Sequence, residues 1–578
     1  MKKVILDIET DSLDATKIWC CICQDVSQPG TAMFTDGKSL AKHLDTYDKV
    51  IGHNAISFDV PVLNRLWHTA IPLSKIEDTL VLSQLFSPNR DGGHSLAAWG
   101  DRFGLAKEEF TDFEGGLSRQ MVDYCIRDVE LTVKLYRHLI AQEKLDFSDE
   151  SITIEYKIRH ILNKQQKHGF FLDVRKAHAL LLETKGKADE IKASILEEAQ
   201  PVVKFVRSVE PKYKKNGDIS SVGLKSYPNY ASVVGGCYSS IEYQPFNIAS
   251  PKQIVERLDR YGWKPTELTP TGGAKVSEHN LRTVSEDAPA AFKNLADWRM
   301  LETRWKTAEA WLDAADSKDY VHGRVMTMGA ITGRMTHSAP NMANVVSNRK
   351  PYGEQCRACW TVENPAEYRL VGTDAKGLEL RMLAHYINDD EFSEAVVNGD
   401  PHTMNQAAAG LPTRDAAKTF IYALMYGAGS RKIGEIVGGS QKAGEKLKQT
   451  YFRNMPALAK LITQSQRYAD RGYLRGIDGR RLIVRHSHAA LNTLLQGAGA
   501  IVCKQWSILL DQEIRRLGLD ANLCNSIHDE LQFQVHKDDA EQLCSLADTT
   551  MQSVGCGFNM NVALGASATI GLTWAETH

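Results

Sequence analysis

Long hydrophobic runs are missing. None in the 578 residues approaches the roughly 20 apolar positions of a membrane span, so no membrane partner is expected. A surplus of one charge is missing too. Lys plus Arg total 69 and Asp plus Glu 71, a net charge of -2, which excludes a histone-like binder driven by bulk charge. That balance leaves room for a basic groove offset by acidic clusters elsewhere. The opening MKKVILDIETDS turns acidic at Asp7, which is not the pattern of a secretory signal, and a cytoplasmic location is expected. There is no disulfide framework: 11 cysteines is an odd count, and Cys20, Cys21 and Cys23 share one strand-like run. Cys356 and Cys359 form a C-x-x-C without a second pair at zinc spacing, which reads as small buried thiols. Low-complexity segments and internal repeats are absent.

What is present fits about four structural units at roughly 150 residues each. The first stretch reads as α/β. KKVILDIET, IWCCICQDV and DKVIGHN are strand-like, whereas TLVLSQLF, SLAAWGDRFG and DYCIRDVELTVKLYRHLIA have helical spacing. A polar stretch from Glu143 to Asp149 marks a boundary. Long charged helices follow from Ser151, then a Lys-, Gly-, Ser- and Tyr-containing segment from Pro201 to about Tyr243 that reads as an extended, irregular insertion. Beyond it, strand-like runs such as RLVGTDA alternate with helices.

Asp7 and Glu9 sit two apart on a strand, so both carboxylates face one side. VIGHNAISFD delivers Asp59 after a loop, and Tyr124 and Asp128 lie four apart on one helix face. Such a set has a chemical use. Phosphodiester hydrolysis needs a bound hydroxide and a stabilised leaving oxygen, which two divalent metals about 4 Å apart supply, and hard cations favour carboxylates. Tyr124 could orient the attacking water. Taken singly, Asp7 with Glu9 is an ordinary strand-end pair, Asp128 a solvated helix residue and Asp78 a helix N-cap. The ordered set D-I-E, N-x3-F-D, Y-x3-D is far more specific.

In the C-terminal half, Asp374 ends a strand-like run and Asp529 follows His528 at a turn. Two such aspartates can share a metal pair for nucleotidyl transfer; H-D-E alone is common by chance. Between them, Arg414, Lys418, Tyr422 and Tyr426 recur every four residues, which is one stripe of a helix with about 40° of drift per step. Its cations suit phosphates and its tyrosines a base or sugar. A basic amphipathic helix with an aromatic packing end is the plainer reading of the stripe alone.

DIETDS, DVPVLNRL, ITGRMTHSAPNMANV, TDAKGLELRMLAHY, NGDPHT, RDAAKTFIY with YGAG, HAALNTLLQGAGAIVCK and IHDEL together resemble family A DNA polymerases, most closely those of short-tailed lytic bacteriophages. The resemblance covers nearly the whole chain. It implies a multi-domain α/β fold, an RNase H-like exonuclease domain followed by a right-hand polymerase. Residues 1–147 would be the 3′–5′ exonuclease domain and 148–320 the thumb, with the irregular insertion near 202–243. Residues 321–386 and 491–578 would be the two parts of the palm, and 387–490 the fingers.

The resemblance also implies roles. Asp7, Glu9, Asp59, Asp128 and Tyr124 would form the proofreading site. Asp374 and Asp529 would hold the polymerase metals, two Mg²⁺ being expected at each site. Arg414, Lys418 and His402 would bind the triphosphate, Tyr422 would pack on the sugar, and Glu379 would exclude a 2′-hydroxyl. Arg334, Gln496 and His528 would contact primer or template. Partners would be primer–template DNA and dNTPs. A host processivity factor such as thioredoxin and a replicative helicase–primase are further partners it suggests; a solvated loop is the simpler reading of 202–243. The location would be the bacterial host's cytoplasm for a viral chain. No 5′-nuclease domain is expected ahead of Asp7. The alternative is a metal-dependent 3′–5′ exonuclease whose polymerase half binds DNA but is inactive. A non-catalytic scaffold leaves both carboxylate clusters unexplained, and Glu379 weighs against an RNA polymerase.

Overall fold

Short apolar and β-branched runs recur in the first 80 positions, separated by loops and two helices, and they form one sheet. Its strands are β1 (Lys3–Thr10), β2 (Ile18–Asp25), β3 (Thr31–Phe34), β4 (Lys49–Gly52) and β5 (Ile76–Asp78). The computed structural model describes residues 1–105, 110–144, 147–210, 212–218, 220, 238–269 and 271–578. The sheet order is β3-β2-β1-β4-β5, with β1 antiparallel to β2 and parallel to β4. Val4, Ile5, Leu6 and Ile8 are all buried, as expected of a central strand covered on both faces. The helix Arg119–His138 is capped by Ser118, whose side chain accepts from Met121 N. Met121, Cys125, Asp128, Val129 and Thr132 form its buried stripe at helical spacing, and the helix packs on β1 and β2.

The chain divides into two units, Met1–Asp173 with Ala314–His578, and Val174–Asp313. In the first unit, a second sheet is made of β6 (Tyr368–Ala375), β7 (Ala521–Ile527), β8 (Glu530–His536) and β9 (Ala566–Gly571), in the order β7-β8-β6-β9 and antiparallel throughout. Only His528 and Asp529 separate β7 from β8. His528 has a φ of 55°, the left-handed conformation that two-residue hairpin turns demand. The 28-residue helix Ala490–Leu517 runs through this core and is buried on nearly every side.

The helix Asp149–His168, grouped with the thumb in the sequence reading, lies in the first unit. Its Glu155 is fully buried and accepts from Lys504 Nζ at 2.6 Å and Arg480 Nη1 at 2.5 Å; Arg480 Nε in turn reaches Asp478 at 2.8 Å. Burial lowers the Lys504 ammonium to about 8 against the pull of Glu155.

In the second unit, the segment read as irregular begins and closes with strands. Val202–Val209 and Tyr238–Gln244 pair as an antiparallel ribbon. Its β-branched alternation, VVKFVRSV against YSSIEYQ, was hidden within a Lys-, Gly- and Ser-containing stretch. Residues 221–237, Lys225 among them, fall outside the described residues. Among the described residues no helix is long and apolar enough to cross a membrane.

Candidate active sites

Two acidic centres lie in the first unit. At the N-terminal one, β1 turns Asp7 and Glu9 to the same side, towards the Arg119–His138 helix. One ligand atom from each of Asp7, Glu9 and Cys125 lies within 4.8 Å of the other two. Asp59 opens the helix Asp59–Leu66 and accepts from Ile8 N at 3.3 Å, which ties it to the middle of β1. The loop that delivers it is shaped by Asp78, which accepts from Asn54 N and Ile56 N at 3.0 Å each and also caps Leu80 and Val81. Burial, then the charges of Asp78 and Asp128, push Asp59 up to about 7, although the Ile8 amide works against them. Asp128 is therefore within electrostatic reach of Asp59. Tyr124 is half-buried on the same helix and packs with Phe110 and Phe113, the ring centroids 5.8 and 6.3 Å away. Beside them an open cleft is lined by Glu9, Thr10, Phe58, Asp112, Phe113 and Glu114.

At the C-terminal centre, antiparallel pairing sets Asp374 opposite Glu530, and the Ala375 amide donates to the Asp529 carbonyl at 3.0 Å. Burial, then the charges of Asp529 and Glu530, raise Asp374 to about 6. Asp529 is raised as well, chiefly by burial, with His528 and Arg334 pulling it down. Its cleft is lined by Arg334, Glu379, Gly499, Cys503, His528 and Asp529. Arg334 donates to Glu379 at 3.0 Å, and the Tyr426 hydroxyl donates to the same carboxylate at 2.8 Å. Gln496, three residues before Gly499 on the long helix, is half-buried.

The predicted stripe is a helix, Arg414–Met425, capped by Thr413. Ala417, Phe420, Ile421 and Leu424 bury one face, leaving Arg414 and Lys418 exposed and Tyr422 half-buried on the other. Tyr422 stacks with Tyr426 at 6.4 Å and meets the His402 ring at 6.1 Å. Burial, then the charges of Arg414 and Lys418, lower His402, and its buried Nδ1 has no hydrogen-bond partner. Three groups suited to an anion thus converge.

Sequence reading missed three participants. Cys125 sits beside Tyr124, where a thiol reads as core. Asp400 accepts from Arg414; an Asp ahead of Pro reads as a cap, and it is one for the helix Pro401–Ala409. Glu530 belongs to a buried set. Burial pushes it up, but the His578 hydrogen bond and the charges of His578 and Arg357 win and keep it low, with Trp574 Nε1 also donating to it.

The family model for DNA polymerase family A matches residues 229–576. The DNA-directed DNA polymerase of Enterobacteria phage T3 is 31% identical, with all of both chains covered. That of Escherichia phage T7 is also 31% identical over the full length of both. Among solved structures, the POL domain of Pol1 from M. smegmatis, in complex with DNA primer-template and dNTP, superposes with a TM-score of 0.76. It is 20% identical, and the match covers 99% of this chain and 95% of that one, which shows that the fold is the expected right-hand polymerase fold. With the family model matched over more than half of its length and full-length relatives at this identity, the chain belongs to DNA polymerase family A and is a template-directed DNA polymerase.

Proposed function

We propose that this polymerase joins deoxynucleotides to a primer 3′ end at a centre built on Asp374 and Asp529, and that its N-terminal sheet carries a 3′–5′ proofreading exonuclease built on Asp7, Glu9, Asp59, Asp128 and Tyr124. The observation that carries the first assignment is the pairing of Asp374 with β8 beside the two-residue turn that holds Asp529. Both carboxyls are held above the usual range in a partly buried site. A donor set of carboxylates under mutual repulsion fits a hard divalent cation. Two Mg²⁺ ions per site are the expected occupants, and when bound they neutralise charge on the attacking and leaving oxygens.

The chain's own residues do the rest. Arg414 and Lys418 hold the triphosphate by charge-assisted hydrogen bonds, and the open Nδ1 edge of His402 adds a third contact. Tyr422 packs against the incoming sugar. Glu379, fixed by Tyr426 and Arg334, fills the space a 2′-hydroxyl would need. Arg334, Gln496 and His528 contact DNA near the primer end, where phosphate contacts set register. At the N-terminal site Tyr124 orients the attacking water. The reading assigns residues 1–147 to the exonuclease, 148–320 to the thumb, 387–490 to the fingers, and the flanking segments to the palm. Exposed Phe205 and Tyr243 on the ribbon support a protein partner there, a processivity factor such as thioredoxin. A bacteriophage replicative role in the host cytoplasm, beside a helicase–primase, completes it.

Primer extension with Mg²⁺ tests both sites at once. Wild type should extend with dNTPs and shorten the primer without them. Asp529→Ala should lose only extension and Asp7→Ala only shortening. Extension that survives Asp529→Ala would remove the polymerase assignment.

A further inference from the structure

One helix touches the chain just ahead of an aspartate in each acidic centre. Glu155, Arg159 and Asn163 recur every four residues along the helix Asp149–His168, the spacing of one face. Glu155 holds the buried charge set already described. Arg159 Nε donates to the Ser57 hydroxyl at 2.6 Å, and Asn163 Nδ2 donates to the Ile56 carbonyl at 2.9 Å. Both acceptors lie in the loop that delivers Asp59. Further along the helix, Gln165 Oε1 accepts from the Ser526 hydroxyl at 2.8 Å, on the strand that leads to Asp529.

Arg159 has a second acceptor far away in sequence. Its Nη1 donates to the Val325 carbonyl at 3.1 Å. Val325 lies on the strand Arg324–Met326, which pairs with Thr336–Ser338, and Arg334 sits in the connection between the two strands. A guanidinium is a planar, rigid fork, so it fixes both acceptors in direction as well as distance. The loop is also held through its amides, because Asp78 accepts from Asn54 N and Ile56 N. Burial lowers Arg159 and raises Asp78, and each group's charge works against the other's shift. The two side chains that hold the loop therefore attract one another.

We propose that Arg159 is a positioning residue of the N-terminal centre: it registers the loop that delivers Asp59 against the hairpin that carries Arg334, so that 3′–5′ hydrolysis depends on an anchor in the polymerase half. The proposal deepens the nuclease reading of this centre and rests on it. Arg159 acts through Ser57 and touches no reacting atom. A misplacement of about 1 Å at a catalytic group costs on the order of a hundredfold in rate. Loss of this strut therefore shows in turnover and not in substrate binding.

Degradation of single-stranded DNA in Mg²⁺ by the full chain, and hydrogen exchange of the same chain in EDTA, test this together. In Arg159→Met, kcat for degradation should fall at least about tenfold with KM for the DNA unchanged. Arg159→Lys keeps the charge beside Asp78 and should recover part of the loss. Amides of residues 54–60 should exchange at least about fivefold faster in Arg159→Met, and those of Tyr368–Ala375 at the wild-type rate. Primer extension, a check on folding, should stay near wild type, because the strand at Val325 keeps its pairing with Thr336–Ser338. Ser57→Ala removes the hydroxyl alone and decides even where Arg159→Met folds poorly. It should lower kcat in the same direction and add little to Arg159→Met, since the two residues share one contact. A wild-type kcat in either variant, a loss confined to KM, or additive losses in the double variant overturns the proposal. Failure of the wild type to degrade single-stranded DNA is a separate result: it removes the nuclease reading, and unchanged exchange at residues 54–60 in Arg159→Met would then overturn the strut as well.

Discussion

Arg414 grips Asp400 through two nitrogens, Nε 2.6 Å from Oδ2 and Nη2 3.2 Å from Oδ1. The same carboxylate accepts from His402 N at 3.0 Å, so it sets both the resting direction of Arg414 and the start of the helix that carries His402. Arg414 is exposed and Asp400 half-buried, and pairs this open to solvent hold weakly in water. Arg414 is thereby aimed yet available to a triphosphate. Arg414→Ala should lower kcat/KM for dNTPs by about 10- to 100-fold. Asp400→Asn, which retains a capping side chain, should change it by less than about fivefold. Single-nucleotide incorporation kinetics decide; equal losses in the two variants would show that the pair acts as one unit.

The hydroxyl of Tyr426 and the guanidinium of Arg334 hold Glu379 from two sides. Glu379→Ala should raise ribonucleotide incorporation relative to deoxynucleotide by at least about tenfold, because the space for a 2′-hydroxyl opens. Tyr426→Phe should move the ratio the same way by less, since Arg334 remains. Competition between matched rNTP and dNTP on one template measures it, and an unchanged ratio in Glu379→Ala would end the steric-gate assignment.

Tyr422 carries a phenolic hydroxyl where phenylalanine would have none. That hydroxyl can stand in for the missing 3′-hydroxyl of a dideoxynucleotide. Wild type should therefore incorporate dideoxynucleotides efficiently, and Tyr422→Phe should discriminate against them at least about tenfold more strongly. Strong discrimination by the wild type, unaltered in Tyr422→Phe, refutes the assignment.

Without metal, the two centres should make folding pH-dependent. Burial and neighbouring charge hold Asp374 at about 6 and Asp59 at about 7, above the unfolded value near 4. A raised acid binds its proton more tightly in the folded chain. Its stabilisation is complete below about pH 4 and is lost as pH rises through about 6 to 7. In EDTA the thermal midpoint should drop between about pH 5 and pH 8, Asp59→Asn should melt higher than wild type at pH 8, and added divalent cation should close the gap. Identical melting of Asp59→Asn and wild type at pH 8 contradicts this.

Periodicity made much of this legible. Two-residue spacing put Asp7 and Glu9 on one face, and four-residue spacing gave the Arg414 helix and the Tyr124–Asp128 face. Other features depend on partners distant in sequence. Glu155 reads as one more charge on a charged helix, and only packing reveals Lys504 and Arg480 around it. Cys125 reads as core until the Asp7 carboxylate appears beside it. The ribbon at Val202–Val209 was masked by the composition of the segment it begins, and its partner strand lies 29 residues beyond its end.

The buried charge set around Glu155 bears on how such an enzyme can be recombined. Lys504 and Arg480 belong to the C-terminal half, where Asp478 offsets one charge, and the second acid arrives on a helix that follows the N-terminal sheet. A chimera that imports this helix without a carboxylate at position 155 leaves Lys504 buried without its carboxylate and Arg480 with Asp478 alone, and breaking a buried pair in this way costs about 3–5 kcal/mol. The halves therefore behave as matched parts: a donor sequence is compatible only if it brings the matching charge.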